Sequence, residues 1–468
     1  AHGETVRVEI TVAPDAAPGP RELRLQTATG LSNPFAFSVG ELPEFSEPLV
    51  KATSPRPPPG SAPRAPIDVT LPVTINGQLL GGEIDRYRFA ARRGQQLTVI
   101  TQARALIPYL ADAVPGWFQA TLTLRDDTGR ELAYCDDFRF HPDPVLAYTI
   151  PADGHYTIEI NDAIYRGRED FVYRIALGEL PFITSVFPLG TSPVKPTKFA
   201  LRGWHLDAHA APQQERDRTG ELRLSVQSRG LRSNSVPLDV ADLTATLEAE
   251  SNNNSATAMP LAVPAIVNGR IGRAGDVDVF RIRGRAGETL VAEVLARRLD
   301  SPLDSYLEVT DATGVVLASN DDHENKSDGL LTHHADSCVQ FTFPRDGEFL
   351  VCVRDTQHRG GAEFGYRLHL RAPQPDFALR VVPATLNARA GGSVPFTVHV
   401  ARRDGFNDEI ALGLLDAPAG VVLSGGRIPA GQDKIQLTLT APSDLARATP
   451  ILMRLAGRAE IGGHTLVR

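Results

Sequence analysis

Apolar and polar residues alternate in short runs along most of the chain, as in ETVRVEITV near its start, YTIEI in its first third and KIQLTLTAPSD near its end. Successive side chains of an extended segment point to opposite faces, so a period of two predicts strands with one buried face. Runs rich in Val, Ile, Leu and Thr are separated by Gly, Pro, Asn and Asp, and no long stretch holds the 3.6-residue period of an amphipathic helix. The pattern therefore predicts an all-β chain, and its 468 residues exceed what one hydrophobic core organises, so tandem β-sandwiches are expected.

The pattern also repeats itself. TINGQLLGGEIDRYRFAARRGQQLTV in the segment 67–178 aligns with IVNGRIGRAGDVDVFRIRGRAGETLV in 247–371 through one single-residue gap, and PADGHYTIEINDAIYRGREDFVYRI aligns with PRDGEFLVCVRDTQHRGGAEFGYRL without one. The Asp-Gly pairs Asp153-Gly154 and Asp346-Gly347 read as hairpin turns between alternating strands. A second, shorter repeat relates PRELRLQTATGLSNPFAFSV near the start to GELRLSVQSRGLRSNSVPLDV at 220–240. The organisation expected is a partial module at 1–40, a Pro-rich linker at 41–66, a first sandwich at 67–178, a small module at 179–244, a second sandwich at 245–372 and a last sandwich at 373–468. The partial module reads as the back half of an immunoglobulin-like domain.

The densest chemistry precedes the second sandwich. Glu248, Glu250, Asn252 and Asn253 set carboxylate and amide oxygens along an extended leader, and Asp276 and Asp278 add two carboxylates at a later strand. Oxygen donors without His or Cys suit a hard cation, calcium above all, which takes six to eight oxygens in a tolerant geometry. A solvated acidic linker is the alternative reading of the same residues. This leader, the Asp-x-Asp-x-Phe strand that follows it, and SPLDSYLEV, LASNDD, FPRDGEFLVCVRD and RGGAEFGYRL together resemble the pre-peptidase C-terminal domain of bacteria, over the whole of 247–371. That resemblance implies a compact, non-catalytic β-sandwich similar to the collagen-binding modules of bacterial collagenases, accompanying secreted enzymes or surface proteins. It implies calcium at Glu248, Glu250, Asn252, Asn253, Asp276 and Asp278. The opening at Ile183–Leu206, with its Gly-Trp step, resembles the transcription-factor-type immunoglobulin fold, so Ig-like and jelly-roll-like modules are expected to alternate.

A weaker acidic set, Asp304, Asp321, Asp322, Asp336 and Asp355, is a second metal candidate; these residue types are also ordinary turn formers. In the first repeat Asp85 keeps the place of Asp278, whereas the leader lacks the Asn pair, so no metal is expected there. Trp117, Trp204, Tyr134 and Tyr165 are aromatic candidates for stacking on a sugar or peptide, although single aromatics more often belong to cores and rims.

A net charge of −8 gives no electrostatic footprint for nucleic acid, and no apolar run is long enough to span a membrane as a helix. Cys135, Cys338 and Cys352 fit no zinc spacing; they read as small hydrophobes, with a cross-strand Cys338–Cys352 disulfide as the alternative if a hairpin joins them. No His-Glu-x-x-His, Gly-x-Ser-x-Gly or phosphate-cradling Gly loop occurs. The expected function is a non-catalytic array in an extracellular or cell-surface protein, a monomer within a larger polypeptide, that binds protein or polysaccharide or spaces other domains. The alternatives are the accessory region of a secreted peptidase or other hydrolase, and a carbohydrate-binding module.

Overall fold

The structure is a computed structural model describing residues 6, 8–27, 30–32, 34–48, 65–107, 118–193, 196–217, 220–324, 333–444 and 450–468. Within these residues the chain is all-β, interrupted by one short 3-10 turn at Arg297–Leu299, and built as tandem β-sandwiches. Trp117 and most of the Pro-rich segment lie outside the described residues.

The two long repeats fold alike. In the first sandwich one sheet runs in the order Glu131–Cys135, Ala120–Asp126, Gly154–Asp162, Asp85–Ala91, Ile67–Asp68. The other runs Val145–Thr149, Gln96–Gln102, Val172–Gly178, Val73–Gln78, Glu44–Ser46. The second sandwich reproduces both orders: Val316–Asn320, Ser305–Asp311, Gly347–Asp355, Val277–Gly284, Met259–Pro260, facing Cys338–Thr342, Thr289–Leu295, Gly365–Arg371, Ala265–Arg270, Thr246–Leu247. Alternation places Tyr87, Phe89, Leu122, Leu124, Ile158 and Ile160 inside the first core, and Phe280, Ile282, Leu307, Val309, Val351 and Val353 inside the second.

Three expectations change. The segment 41–66 does not begin as a linker, because Glu44–Ser46 pairs in parallel with Thr74–Asn76 and forms an edge of the first sandwich. The Asp-Gly pairs are not hairpin turns: Val145–Thr149 and Gly154–Asp162 belong to opposite sheets, as do Cys338–Thr342 and Gly347–Asp355. Each connection crosses the sandwich, and the Asp side chain holds a neighbouring loop instead, Asp153 accepting from the Arg93 N–H at 2.7 Å and Asp346 from the Ala286 N–H at 2.8 Å. Cys338 and Cys352 thus sit on different sheets and are free, as is Cys135, and all three are half-buried. Burial pushes the Cys338 thiol up to about 12 and Cys352 to about 11, far from a reactive thiolate.

The small module packs Phe182–Phe187 and Ala200–Trp204 against a sheet built on Leu222–Ser228 and Val236–Val240. Its core is small and includes Leu299, which the second sandwich supplies. A module of this size is marginal by itself, so the borrowed residue matters. Arg367, buried at 1% exposure in the second sandwich, meets Asp239 of the small module at 2.5 Å, and His369 meets the same carboxylate at 2.9 Å. The Arg270 guanidinium lies over the Phe187 ring at 3.6 Å.

One loop of the first sandwich touches both neighbours. Phe138 packs on Phe182 and Trp204 of the small module, at 5.2 and 6.3 Å between centroids. Arg139 pairs with Glu363 at 2.7 Å, and the His141 ring bonds Asp300 at 3.0 Å, both in the second sandwich. The last module forms two sheets around Phe377, Phe396, Val398, Ile410 and Leu437. The strands Gly19–Leu23 and Phe35–Val39 pair with each other, and the neighbouring Leu31 is held by Asn387 of the last module, whose side chain bonds both its N–H and its carbonyl at 3.1 and 2.8 Å.

Candidate metal centre

The leader reaches the second sandwich through Thr246–Leu247, which pairs in parallel with Val267 and Asn268 and carries the chain past the edge of the sheet. Glu248 continues this register, its N–H bonding the Asn268 carbonyl at 3.0 Å, while its Oε2 accepts from the Arg270 N–H at 2.7 Å. Four residues on, the Asn252 carbonyl accepts from the Val279 N–H at 2.8 Å, so the leader is tied to both sheets.

Between these ties lie the carboxylates. Oxygens of Glu248, Glu250 and Asp278 all fall within 4.8 Å of one another. Asp276 is beside them but occupied: its Oδ2 accepts from the Gly272 N–H at 2.8 Å and its Oδ1 from the Asn253 amide at 2.9 Å. The Tyr366 hydroxyl donates to Asp278 Oδ2 at 2.7 Å and lies 3.4 Å from Glu248 Oε2. Gly269 leaves room for this meeting, since a Cβ there would stand 2.1 Å from Glu248 Oε2 and 2.3 Å from the Tyr366 hydroxyl.

Burial, then the field of Glu248, pushes the Asp278 carboxyl up to about 9; the Tyr366 hydroxyl offsets part of this. Burial likewise lifts Glu248 to about 7, opposed by the Arg270 N–H and reinforced by Glu250. The Tyr366 phenol is driven well above its ordinary range by burial and by both carboxylates, so it stays a neutral donor. Without a cation the cluster must hold protons near neutral pH to avoid self-repulsion.

The donor set fits a hard cation. Asn252 is fully buried, and its Oδ1, Asn253 Oδ1 and Asp278 Oδ1 are buried oxygens with no hydrogen-bond partner. Buried polar oxygens are ordinarily paired, because leaving one unsatisfied costs about 1–3 kcal/mol. Here Asp278 Oδ1 belongs to the three-carboxylate group, and the Asn252 and Asn253 oxygens, with the likewise unpartnered Asn252 Nδ2, lie on the leader that supplies Glu248 and Glu250, so the donor types are those of an oxygen-coordinated ion.

The second acidic set does not come together. Asp336 accepts from the N–H groups of Ala296, Arg297 and Arg298 and from the Arg298 guanidinium. Asp355 accepts from Asp304, Gln357 and Arg359 N–H groups and from the Arg359 guanidinium. Asp304 lies 3.5 Å from Arg297, and Asp321 and Asp322 lie exposed at the end of Val316–Asn320. Asp143 and Asp162 perform the same loop-holding tasks in the first sandwich, bonding Ala103, Arg104 and Ala105 and Gln119, Ile164 and Arg166 respectively.

The first sandwich also shows how the leader site is dismantled. Glu47 takes Glu248's place in the register, its N–H bonding the Asn76 carbonyl at 2.8 Å, and Tyr173 donates to Asp85 at 2.7 Å as Tyr366 does to Asp278. Phe280, however, is replaced there by Tyr87, whose hydroxyl meets that of Tyr173 at 2.6 Å, so the buried polar groups are linked through hydroxyls. Tyr366 and Tyr173 were not recognisable as site residues in isolation; their recurrence at one place in both repeats was the available signal.

No family profile matches the chain. A probable subtilase-type serine protease of Deinococcus radiodurans is 34% identical over 107 residues, which are 22% of this chain and 14% of that protein. The chain thus spans a small part of the curated relative that it matches. Among solved structures, the pre-peptidase C-terminal domain of a Bacillus anthracis collagenase aligns at 16% identity over 25% of this chain and 98% of its own, with a TM-score of 0.19. A Clostridium perfringens protein comprising an M60 catalytic domain and two CBM51 domains aligns at 12% identity over 61% of this chain and 33% of its own, with a TM-score of 0.16. Neither score reaches that of a shared overall fold.

A cleft of about 780 Å³ lies between the strands near residues 22–31 and the last module. Glu22 is its one carboxylate, and its lining has no histidine or cysteine. It therefore offers no pair of acid–base groups and no thiol nucleophile. No helix of the described residues is long and apolar enough to cross a membrane.

Proposed function

We propose that the chain is a non-catalytic accessory region of a larger exported protein, whose second sandwich binds calcium through the leader 248–253 and the Asp276–Asp278 corner. The observation that carries this reading is the grouping of the Glu248, Glu250 and Asp278 carboxylates, with Asp278 Oδ1 buried and unpartnered, on a leader whose Asn252 and Asn253 oxygens are buried and unpartnered too. Glu248, Glu250 and Asp278 would hold the ion, with the amides of Asn252 and Asn253 completing an oxygen shell. Asp276 orients Asn253 and fixes the Gly272 corner. A bound divalent ion supplies positive charge that neutralises the cluster and lets Glu248 and Asp278 give up their protons. The leader is then pinned across both sheets, which stiffens the junction with the small module.

The partial likeness to a subtilase-type protease supports an exported hydrolase as the parent of this region. The proposal retains immunoglobulin-like modules at 1–40, 179–244 and 373–468, with the first sandwich extended back to Glu44. Calorimetric titration of the chelator-treated chain tests the calcium reading: one site is expected, with proton release that grows as the pH falls below about 9. A titration without heat or proton release at millimolar calcium would refute it. Hydrolytic activity that copurifies with the isolated chain and survives repurification would refute the accessory reading.

A further inference from the structure

The loop that carries Phe138 and His141 in the first sandwich has a counterpart in the second. In each repeat an Asp pair directly follows an edge strand, Asp136-Asp137 after Glu131–Cys135 and Asp321-Asp322 after Val316–Asn320. In each, the returning arm carries a histidine two residues before the aspartate that holds a neighbouring loop: His141 before Asp143, which accepts from the Ala103 N–H, and His334 before Asp336, which accepts from the Ala296 N–H.

The residue after the Asp pair meets that histidine across the loop. In the first sandwich Phe138 and His141 form an antiparallel bridge, each N–H bonding the other's carbonyl, at 2.9 and 3.0 Å. In the second, His323 stands in the place of Phe138 and opposes His334 in the same antiparallel sense, with Glu324 opposing His333 in the next pair. Bridging at this place is therefore a property of the fold. What differs is the pair brought together, a phenyl and an imidazole in one repeat and two imidazoles in the other.

The second ribbon is tied at its base. Asn320 on the outgoing arm accepts through Oδ1 from the Cys338 N–H of the returning arm at 2.9 Å, and its Nδ2 donates to the Asp322 carbonyl at 2.8 Å. Asp336 fixes the returning arm through the N–H groups of Ala296, Arg297 and Arg298. The opposition of His323 and His334 is thus set by bonds that do not depend on either imidazole.

Opposed residues of an antiparallel pair have Cα atoms about 4.5–5.5 Å apart, a span across which two imidazoles can share one ion at about 2 Å from each nitrogen. Imidazole suits zinc, copper and nickel, whereas calcium and magnesium take oxygen. Asp321, exposed and two residues before His323, adds a carboxylate beside the pair.

We propose that the cross-strand pair His323 and His334 is a second ion site of this chain, taking a divalent ion of the zinc class through its two imidazoles, with Asp321 and water to complete the shell. A bound ion clips the two arms of the ribbon together. The first sandwich holds its equivalent loop by other means, docking Phe138 on Phe182 and Trp204 and bonding His141 to Asp300. The site shares no residue with the carboxylate centre and takes a different class of ion, so either reading can fail without the other.

The test uses the full chain without an affinity tag, stripped with chelator and returned to excess calcium and magnesium near neutral pH. Zinc is then titrated in competition with a chromophoric zinc indicator. One zinc per chain is expected, and raising calcium or magnesium leaves it in place. His323→Phe, which copies the first sandwich, and His334→Gln should each weaken binding by about tenfold or more, since even a residue behind a metal ligand is worth that much, at unchanged zinc-free melting temperature. His333→Gln, in the neighbouring pair, keeps the affinity. No zinc binding by the wild-type chain, equal binding by wild type and both histidine variants, or a loss confined to His333→Gln overturns the proposal. So does zinc that calcium displaces, or that Asp278→Asn releases while His323→Phe and His334→Gln retain it, because the ion then belongs to the carboxylate centre.

Discussion

Replacing Asp278 by Asn removes one charge from the cluster and leaves its shape intact. The Asn carbonyl can still accept the Tyr366 hydroxyl, which meets Asp278 at 2.7 Å. Unit charges 4.8 Å apart interact by about 3 kcal/mol at the effective dielectric of a protein interior. In chelator the wild type escapes this repulsion by keeping Asp278 protonated, with a pKa near 9, and at pH 7.5 the proton uptake costs a comparable amount. The variant pays neither cost. In chelator Asp278→Asn should therefore melt higher than wild type by roughly 10 °C for a module of this size. Calcium at a hundredfold excess over its Kd stabilises the wild type by about 2.7 kcal/mol and the variant hardly at all, so the two melting curves converge when calcium is added. Differential scanning calorimetry of the full chain, following the transition of the second sandwich, measures both arms. A variant that melts at or below wild type in chelator, or a wild type indifferent to calcium, would refute the reasoning.

The ion-free protein should lose stability as pH rises. The folded values of Asp278 and Glu248, about 9 and about 7, exceed their unfolded values of 3.8 and 4.5, so the native state binds more protons between those limits. Stability contributed by protonation is complete below pH 4 and is lost through pH 9, with a slope of about 1.4 kcal/mol per pH unit for each group; urea midpoints in chelator from pH 5 to 8 that do not fall would contradict this. Tyr366→Phe removes a buried donor from Asp278 and should destabilise the second sandwich by about 1–3 kcal/mol, whereas Tyr173→Phe should leave any calcium response untouched; chemical denaturation with and without calcium distinguishes the two. Asp239→Ala strands Arg367, which is 1% exposed, and should cost about 3–5 kcal/mol at the junction, read as faster cleavage of the 241–245 connection by a broad-specificity protease.

Much of the strand content was legible because alternation is a local property, and the long repeats were legible because their landmarks survive side by side. The leader carboxylates stood out for the same reason: Glu248, Glu250 and the Asn pair fall within six residues, separated only by Ala249 and Ser251. What failed was information about which strands face each other. Asp153-Gly154 and Asp346-Gly347 look like hairpin turns because a tight turn and a short crossing between sheets use the same residues. Asp336 and Asp355 resemble metal ligands in one dimension, and only the folded loops show their oxygens engaged by N–H groups and guanidinia. Tyr366 was hidden among the inward-facing positions of an alternating strand, where it reads as core beside Leu368 and Leu370 and a hydroxyl gives no pattern of its own. Glu47 was masked by proline-rich surroundings, although its register matches that of Glu248.

The loop from Phe138 to His141 has a mechanical consequence. It presses aromatic carbon against one neighbour and ion pairs against the other, so the three bodies form a closed triangle in which every side is braced. A string of beads loses its order when the thread is cut between any two of them. A triangle survives one cut, because each corner is still held from two directions. A nick in the short stretch joining the first sandwich to the small module should leave this part of the protein standing, and tension along the chain would have to shear several contacts together before any one body could swing free.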